Sequence, residues 1–446
     1  MRQIKDKDNS EPTNYRPISL LPLFGKLFEK ILQKQFINHF RKHDIITEHQ
    51  FGFRESHSTE LAITSIYDQL LKNLDNNQIT CTVFLDLAKA FDSVDHEILL
   101  GKLERYGIRG NVLQLMKSYL SNRQHLTKCN GVESDLKILE IGVPQGSILG
   151  PLLFLIFIND LPNISKFNVK LFADDTFLSI SDKNIKNLEK KANTEMKKIS
   201  KWFAVNKLTL NVGKSKFMII KRNNSRFQEF KIKYNGKKME RCFSYKYLGV
   251  HLDDKLTWKT HINYLCEKLS KMCGMFAKLR HTCDLKLLKT IYYALVESHL
   301  QYCNLIWGNA KEKVLEPLVK LQNKILRIIC FMPNSELYTN QAYEKASLLN
   351  LNCLNKLSMA KFMFKFKNNK LPKSFENFFR TRPEEQRYLL RNRIKEDYVC
   401  EWGKTIYGMK RLQYEGVQLW NDISPELRNL NSFVEFKKKY KVALLE

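Results

Sequence analysis

The feature that most restricts the fold of this chain is a pair of neighbouring carboxylates inside an apolar stretch. Asp174 and Asp175 lie within KLFADDTFLSI (170–180), with apolar residues on both sides of them. Aspartate is usual in exposed turns, but these flanks have the composition of buried strands. A second apolar run, ITCTVFLDL (79–87), carries Asp86 near its end. The pattern predicts a buried strand, and a hairpin whose turn lies at the end of a core sheet.

The three aspartates together predict a metal centre. If run 79–87 lies beside hairpin 170–180, then Asp86, Asp174 and, less directly, Asp175 meet at one end of the sheet. Carboxylates brought together without partners repel each other and lose hydration. Mg²⁺ relieves both penalties, since it binds carboxylates, water and substrate phosphates. Two such ions can hold the attacking and the leaving oxygen of a phosphoryl displacement, so the pattern points to nucleotidyl transfer.

The charge of the chain indicates the kind of partner. Lys and Arg number 74 against 46 Asp and Glu, and the excess is spread along all 446 residues. A large, uniformly basic protein is typical of nucleic-acid binding, although a solvated basic surface is the alternative. Hydrophobic residues make up 43% of the chain, which excludes a disordered polymer.

Cysteine usage and hydropathy indicate the compartment. The ten cysteines form no CxxC pair and no zinc-like cluster, so we expect free, mostly buried thiols in a reducing, intracellular setting, the nucleus and the cytoplasm. The polar start of the chain predicts no signal peptide. The most apolar run, ILGPLLFLIFI (148–158), is too short to span a bilayer and contains Pro151. We therefore expect a core helix there and no membrane partner.

Periodicity divides the chain into a helical part, a mixed part and a second helical part. Ser58 or Thr59 is expected to cap one helix, and Ser93 or Asp95 another. Helices are predicted at 23–40, 58–71, 93–107, 147–160, 184–205, 258–280, 285–298 and 311–330. Strands are predicted at 79–87 and 136–143, two short strands at 169–180, a strand with a turn at 211–213 within 208–220, and hairpin-like strands at 228–252. The fold class is therefore α+β in the centre, with basic helical modules on either side.

Three segments, taken in order, resemble the A, B and C motifs of reverse transcriptases. They are FLDLAKAFDSVDHEILL (84–100), GVPQGSILGPLLF (142–154) and KLFADDTF (170–177). Other segments resemble the finger motifs, motif D, the primer grip, the helical region after it and the C-terminal end of jockey-like, non-LTR retrotransposons. These are NYRPISLL (14–21), QFGFRESHST (50–59), LTLNVGKSKFMII (208–220), YKYLGVHLD (245–253), 258–269, 287–308 and 415–445. The order and spacing of the motifs, more than any one of them, make the resemblance specific.

The resemblance implies a right-hand polymerase with fingers, palm and thumb. The implied divisions are fingers at 1–78, a palm with motifs A to D and the primer-grip hairpin at 79–255, a helical thumb at 256–336, and a mostly helical C-terminal region of retrotransposon type at 337–446. Jockey-like elements usually carry an endonuclease ahead of the polymerase, and NYRPISLL stands close to Met1. We therefore expect N-terminally truncated fingers, without the upstream endonuclease domain, and a separate endonuclease wherever synthesis is target-primed.

Matching each motif residue by residue implies the site. Asp86, Asp174 and Asp175 would be the catalytic carboxylates and, with the backbone of Leu87, the ligands of two Mg²⁺ ions, for which Mn²⁺ is an alternative. Lys214 matches the motif D lysine, which could protonate the leaving pyrophosphate.

Further matches imply contacts to the nucleotide and the primer. Phe91 matches the steric gate, a ring that leaves no room for the 2′-hydroxyl of a ribonucleotide. Gln145 and Gly146 would meet the incoming nucleotide or the template. Arg54 and Arg16 are candidates for triphosphate and template contacts. The primer-grip residues would be Tyr247, Leu248 and Gly249.

The predicted function is an RNA-directed DNA polymerase that extends a primer 3′-hydroxyl with dNTPs. Its partners would be an RNA template and a DNA primer. Two alternatives stay open: a truncated, inactive copy that only binds nucleic acid, and a maturase-like splicing factor of the group II intron kind. An RNA-directed RNA polymerase is less favoured, because Phe91 would reject ribonucleotides.

Overall fold

The computed structural model describes residues 2–3, 15–16, 18–129, 131–222, 230–333, 335–381 and 398–445. For residues 2–3 and 15–16 it describes the backbone pairing only. The strands are β1 (Arg2–Gln3), β2 (Tyr15–Arg16), β3 (Ile79–Leu85), β4 (Arg123–His125), β5 (Lys128–Cys129), β6 (Val132–Glu133), β7 (Lys137–Leu139), β8 (Asn168–Phe172), β9 (Asp175–Asp182), β10 (Lys216–Ile220), β11 (Lys233–Tyr234), β12 (Lys237–Lys238), β13 (Glu240–Arg241), β14 (Ser244–Tyr247) and β15 (Val250–Asp253).

Helices fill most of the remaining described chain. In the N-terminal and central parts they are α1 (Leu23–Lys42), α2 (Thr59–Asp75), α3 (His96–Arg105), α4 (Gly110–Leu120), α5 (Leu149–Ile158) and α6 (Ile185–Val205). In the C-terminal part they are α7 (Lys259–Leu279), α8 (Leu285–Tyr292), α9 (Ser298–Gln301), α10 (Asn304–Trp307), α11 (Glu312–Ile329), α12 (Thr339–Ala346), α13 (Leu351–Lys367), α14 (Ile406–Met409), α15 (Glu415–Asp422), α16 (Pro425–Arg428) and α17 (Phe433–Ala443).

A five-stranded sheet lies at the centre, in the order β13-β10-β3-β9-β8. All neighbouring strands are antiparallel except β10 and β13. The longest pairing joins β3 to β9, from Ile79 opposite Asp182 to Leu85 opposite Thr176. The strand that ends before Asp86 therefore lies beside the 170–180 hairpin, which confirms the central prediction about the sheet.

The sheet is buried on both faces, because alternate residues of a strand point to opposite sides. On β3, Cys81, Val83 and Leu85 join a core that includes α5 and α6, whereas Phe84 joins a second core with α2 and α7. Nine of the ten residues of α5 are buried, so the predicted core helix is confirmed. Among the described residues, no helix is long and apolar enough to cross a membrane.

Capping side chains begin the main helices where the sequence predicts. Ser58 accepts a hydrogen bond from the Leu61 amide at the start of α2, and Asp95 accepts from the Ile98 amide at the start of α3. Each cap satisfies an amide that lacks a partner within the helix. All ten cysteines are free thiols, as expected.

One strand prediction is longer than the strand in the structure, and two others are confirmed. The run 136–143 contributes only β7, which pairs with β4 in an exposed hairpin. In 208–220, the predicted turn is confirmed: it lies at 212–214, after a single bridge from Leu210 to Leu87, and Lys216–Ile220 forms the strand that follows. Of the hairpin-like strands predicted at 228–252, residues 228–229 lie outside the described residues, and the rest includes the hairpins β11–β12 and β14–β15, as predicted. Local β-propensity alone does not reveal which strands find a partner.

Candidate active site

The ends of β3 and β9 bring three aspartates to one end of the sheet. Leu85 and Thr176 form the last registered pair, so Asp86 and Asp175 follow on adjacent strands at the same end. Phe172 pairs with Asp175 and closes the hairpin, with Ala173 and Asp174 as its two-residue turn. The predicted meeting of these carboxylates is thus supported by strand register.

The backbone of Asp86 is held by the loop before β10. Its amide donates to the Ser215 hydroxyl at 3.0 Å, and that hydroxyl donates to the Asn211 carbonyl at 2.8 Å. The Asn211 amide donates to the Asp86 carbonyl at 2.8 Å. Lys214 follows from the same loop, and its ammonium lies 3.8 Å from the Asp86 carboxylate. Motif A and motif D, which are far apart in sequence, are therefore physically joined here.

The same pairing orients the Leu87 carbonyl. Leu87 bridges Leu210, and the two flanking hydrogen bonds are made by the Asp86 carbonyl and the Ala88 amide. In such a pair, the central residue's own amide and carbonyl point away from the partner strand. Since β3 lies between β10 and β9, the Leu87 carbonyl points to the side on which Asp175 lies.

Tyr245 is a neighbour of the carboxylates that sequence reasoning missed. Its ring stacks on Phe84 with centroids 4.2 Å apart. Burial raises the pKa of Tyr245 to about 12, helped by the nearby negative charges of Asp86 and Asp175. The phenol of Tyr245 therefore interacts electrostatically with both carboxylates, so strand β14 lies next to them. The available signal was the alternation in YKY, which puts Tyr245 on the same face of β14 as Tyr247.

The donor set suits divalent metal ions, which the reverse transcriptase motifs imply. Carboxylates from Asp86, Asp174 and Asp175, with a backbone carbonyl, are the hard oxygen ligands that Mg²⁺ prefers. Among the described residues, no group of three or more His, Cys, Asp or Glu side chains already stands close enough to hold an ion. These residues therefore have suitable ligand chemistry and lie at the same end of the sheet, but the described residues do not form a preformed metal site.

The PQGS turn packs directly on the segment that follows Asp86. The Val143 amide donates to the Phe91 carbonyl at 2.8 Å, and the Gln145 amide group donates to Asp92 at 2.9 Å. Gly146 has a φ of +99°, and a side chain there would press on Ser19. Motif B is thus attached to motif A on one side and to the N-terminal segment on the other.

Phe91 lies on the short helical turn Ala90–Ser93, half-buried. Its ring stacks on Phe154 of α5 with centroids 4.8 Å apart. The stacking fixes the ring at the junction of motifs A and B. The gate role itself stays a prediction.

The two candidate arginines fare differently. Arg54 donates to the carbonyls of Thr47 and Gln50 at 2.7 and 3.2 Å, and burial lowers its pKa. It therefore holds its own loop together, and a contact to triphosphate stays a prediction. The side chain of Arg16 lies outside the described residues.

The predicted primer grip is the two-residue loop between β14 and β15. Leu248 and Gly249 both have positive φ, of 45° and 81°, as in the turns that suit tight hairpins. Tyr247 is buried beside Phe84 and Phe177. The Tyr302 hydroxyl donates to the Leu248 carbonyl at 2.6 Å. The segment between α9 and α10 therefore contacts this loop and helps to fix it.

Comparison with known proteins shows the family of this chain. The family model described as reverse transcriptase (RNA-dependent DNA polymerase) matches residues 4–252, more than half of the chain. This chain therefore belongs to the reverse transcriptase family.

Named relatives point to the non-LTR branch. The RNA-directed DNA polymerase from mobile element jockey of Drosophila funebris is 30% identical over 332 residues, which cover 72% of this chain and 36% of that protein. The probable RNA-directed DNA polymerase from transposon X-element of Drosophila melanogaster is 29% identical over 334 residues, with the same coverage of 72% and 36%. The chain thus matches little more than a third of the length of these relatives. A solved apo telomerase from Candida tropicalis aligns with a TM-score of 0.39 at 12% identity, over 78% of this chain and 59% of that one.

Proposed function

We propose that this chain is an RNA-directed DNA polymerase of a non-LTR retrotransposon, and that it extends a DNA primer on an RNA template with dNTPs. The observation that carries the proposal is the register of β3 and β9, which brings Asp86 and Asp175 to one end of the sheet beside Asp174. Membership of the reverse transcriptase family and the jockey-like relatives support it.

In this proposal the carboxylates hold the metal ions and Lys214 supplies a proton. Asp86, Asp174 and the Leu87 carbonyl would be the ligands, with Asp175 assisting by its charge. Two Mg²⁺ ions, or Mn²⁺, would lower the pKa of the primer 3′-hydroxyl and neutralise the phosphates. The ammonium of Lys214, 3.8 Å from Asp86, would donate a proton to the departing pyrophosphate. Most of the rate would come from positioning and electrostatic stabilisation.

The nucleotide and the primer would lie on opposite sides of the carboxylates. Phe91, Gln145 and Gly146 would face the incoming dNTP on the motif B side. Tyr247, Leu248 and Gly249 would hold the primer strand on the Phe84 side, where Tyr245 already lies near the acids. These assignments follow from which face of β3 each element packs against.

The wider anatomy follows the same proposal. Residues 1–78 would act as fingers, 79–255 as palm, 256–336 as thumb and 337–446 as a retrotransposon-type C-terminal region. The net charge of +28 supports a nucleic-acid duplex as the partner of the basic helices. A separate endonuclease would nick the target DNA wherever synthesis is target-primed. Reverse transcription would take place in the nucleus and cytoplasm.

Primer extension tests the proposal. The purified chain would receive an RNA template, a DNA primer, dNTPs and Mg²⁺, beside an Asp174→Ala variant and a matched Asp135→Ala variant at an exposed hairpin position. We expect extension by the parent and by Asp135→Ala only. Equal extension by Asp174→Ala would refute the assignment.

Further assays on the same purified protein separate the alternative functions. Salt-dependent primer–template binding without extension would identify a protein that only binds nucleic acid. Rescue of intron splicing without extension would identify a maturase-like factor. Extension with ribonucleotides at the same rate as with dNTPs would favour an RNA polymerase.

A further inference from the structure

A short segment of the QFGFR motif forms an added edge to the hairpin that carries Asp174. The Leu171 amide donates to the His49 carbonyl at 2.9 Å, and the Phe51 amide donates to the Leu171 carbonyl at 2.8 Å. Gln50 therefore bridges Leu171 in parallel fashion. The segment continues the central sheet beyond β8, immediately before the turn of the predicted active site.

The side chain of Gln50 accepts a hydrogen bond from the backbone of that turn. Its Oε1 accepts the Ala173 amide at 3.1 Å and the Gly52 amide at 2.8 Å. Ala173 has a φ of +55°, a conformation that disfavours any residue with a Cβ by roughly 1–2 kcal/mol. Such a backbone persists only where its surroundings hold it. A hydrogen bond to the Ala173 amide holds it in the left-handed state directly before Asp174.

The close approach of the two loops supports the same conclusion. A Cβ on Gly52 would overlap the Ala173 amide nitrogen and press on Phe172. The QFGFR loop is therefore in direct contact with the turn, and the glycine is needed for that contact.

Filling of the core does not explain a glutamine at this position. Gln50 is 1% exposed, and its Nε2 has no hydrogen-bond partner among the described residues. A buried donor without a partner is destabilising, so an apolar side chain would be the better filler. What an apolar side chain cannot supply is the acceptor for Ala173 and Gly52.

We propose that Gln50 is a positioning residue that fixes the backbone of the Ala173–Asp174 turn and thereby the direction of the catalytic carboxylate. The importance of that direction rests on the proposed function. Gln50 does not touch substrate in this proposal and acts only through the turn.

Three substitutions separate the acceptor from the packing. Gln50→Met keeps the size but removes the acceptor. Gln50→Glu, measured at a pH where the carboxyl is protonated because burial raises its pKa, keeps an acceptor oxygen and gives up no bond of Nε2, since Nε2 has none among the described residues. Gln322→Met is the matched control, because Gln322 is equally buried and donates to Tyr292 and Leu349 at 3.0 Å each, far from the turn.

The first readout is hydrogen–deuterium exchange resolved to the Ala173 amide, which needs no activity. We expect Gln50→Met to exchange this amide roughly tenfold faster or more, because its acceptor is lost. Gln50→Glu and Gln322→Met should keep the parent rate. Unchanged protection of Ala173 in Gln50→Met would overturn the proposal.

The second readout is the split between kcat and KM in primer extension. We expect kcat of Gln50→Met to fall on the order of 10- to 100-fold, because a small misplacement of a catalytic group has effects of that size. The KM for dNTP and the Kd for primer–template should stay within about twofold, and kcat of Gln50→Glu should exceed that of Gln50→Met. An equal loss of kcat in Gln322→Met would reduce Gln50 to a structural residue. If the parent itself did not extend primers, the proposed function would fail, while the exchange of Ala173 would still decide whether Gln50 holds the turn.

Discussion

Single side chains near Asp86 differ in what they contribute. Ser215 is fully buried and ties down the Asp86 amide, so its part is structural. Lys214, next to it, has a side chain that is 63% exposed, and an exposed ion pair adds little stability. A substitution at Lys214 should therefore change the reaction more than the fold.

Lys214→Ala is expected to lower the single-turnover extension rate by about 100-fold, as removal of a general acid commonly does. Its melting temperature should match that of the parent. Lys216→Ala is the matched control, since Lys216 pairs with Glu240 instead, at 2.8 Å. A parent-like rate in Lys214→Ala would exclude the proton-donor role.

Phe91→Ala is expected to raise the incorporation of ribonucleotides relative to dNTPs, since a smaller residue would no longer exclude the 2′-hydroxyl. The variant also loses its stacking on Phe154, so a core variant is needed for comparison. Phe217→Leu, on β10 of the same core, is that variant, since Phe217 contacts Phe230 and belongs to neither motif A nor motif B. Competition between rNTP and dNTP on one template measures the ratio, and an unchanged ratio in Phe91→Ala would count against the gate.

At the scale of helices and strands, prediction from sequence succeeded where one element contains its own signal. The local sequence predicts the apolar run of α5, the cap of α2 and the two strands around Asp174, because burial and capping leave a pattern in neighbouring residues. The contacts of Gln50 with Ala173 and of Tyr245 with Phe84 were not. They join residues more than 100 positions apart. The hydrophobic periodicity of one sequence reveals local helices and strands, but it does not reveal which distant residues come into contact.

Helix α15 carries a half-buried acid, Glu415, whose ionised form is disfavoured in the folded state. Glu415 lines a cleft of about 990 Å³ between α11 and α13, which contains none of the predicted site residues. Burial raises its pKa from 4.5 to about 7, and Lys410 opposes the shift only in part. The folded state therefore holds this proton more tightly than the unfolded state, so the stabilisation is complete below about pH 4.5 and is lost as the pH rises towards 7.

Glu415→Gln should remove that dependence, because the amide carries no proton to lose. The difference in unfolding free energy between the parent and the variant is expected to change by on the order of 3 kcal/mol between pH 4.5 and pH 8. Thermal unfolding at a series of pH values measures it. Parallel pH profiles for the two proteins would contradict the assigned shift.

At the scale of the whole molecule, the last described stretch, residues 398–445, is attached to the N-terminal half. Arg411 lies 3.2 Å from Asp68 of α2, with both side chains nearly buried. Gln413 donates to the same carboxylate at 3.3 Å, and Thr405 donates to Asp75 at 2.9 Å. Burial raises the pKa of Asp68, and Arg411 opposes that rise. The C-terminal region thus supports the helix that covers one face of the central sheet.

Arg411→Leu should destabilise the whole chain, because it leaves Asp68 buried without its cation. The expected loss is about 3–5 kcal/mol, and the double variant Asp68→Asn with Arg411→Leu should recover part of it. Lys320→Leu breaks an exposed pair with Glu316 and should change stability by less than about 1 kcal/mol. Equal melting temperatures for the Arg411 and Lys320 variants would show that the C-terminal region is not coupled to α2.

Catalysis in the proposed reaction depends on the three aspartates acting as one centre. The most direct measurement is the single-turnover rate of primer extension for Asp86→Asn, Asp174→Asn, Asp175→Asn and the exposed control Asp135→Asn, on RNA template with saturating dNTP and Mg²⁺. Losing a metal ligand or an oxyanion stabiliser commonly removes rate factors on the order of 10²–10³ or more. We expect at least that loss for Asp86→Asn and Asp174→Asn, a smaller loss for Asp175→Asn, and the parent rate for Asp135→Asn. A parent rate in either Asp86→Asn or Asp174→Asn would show that these carboxylates do not form the catalytic centre.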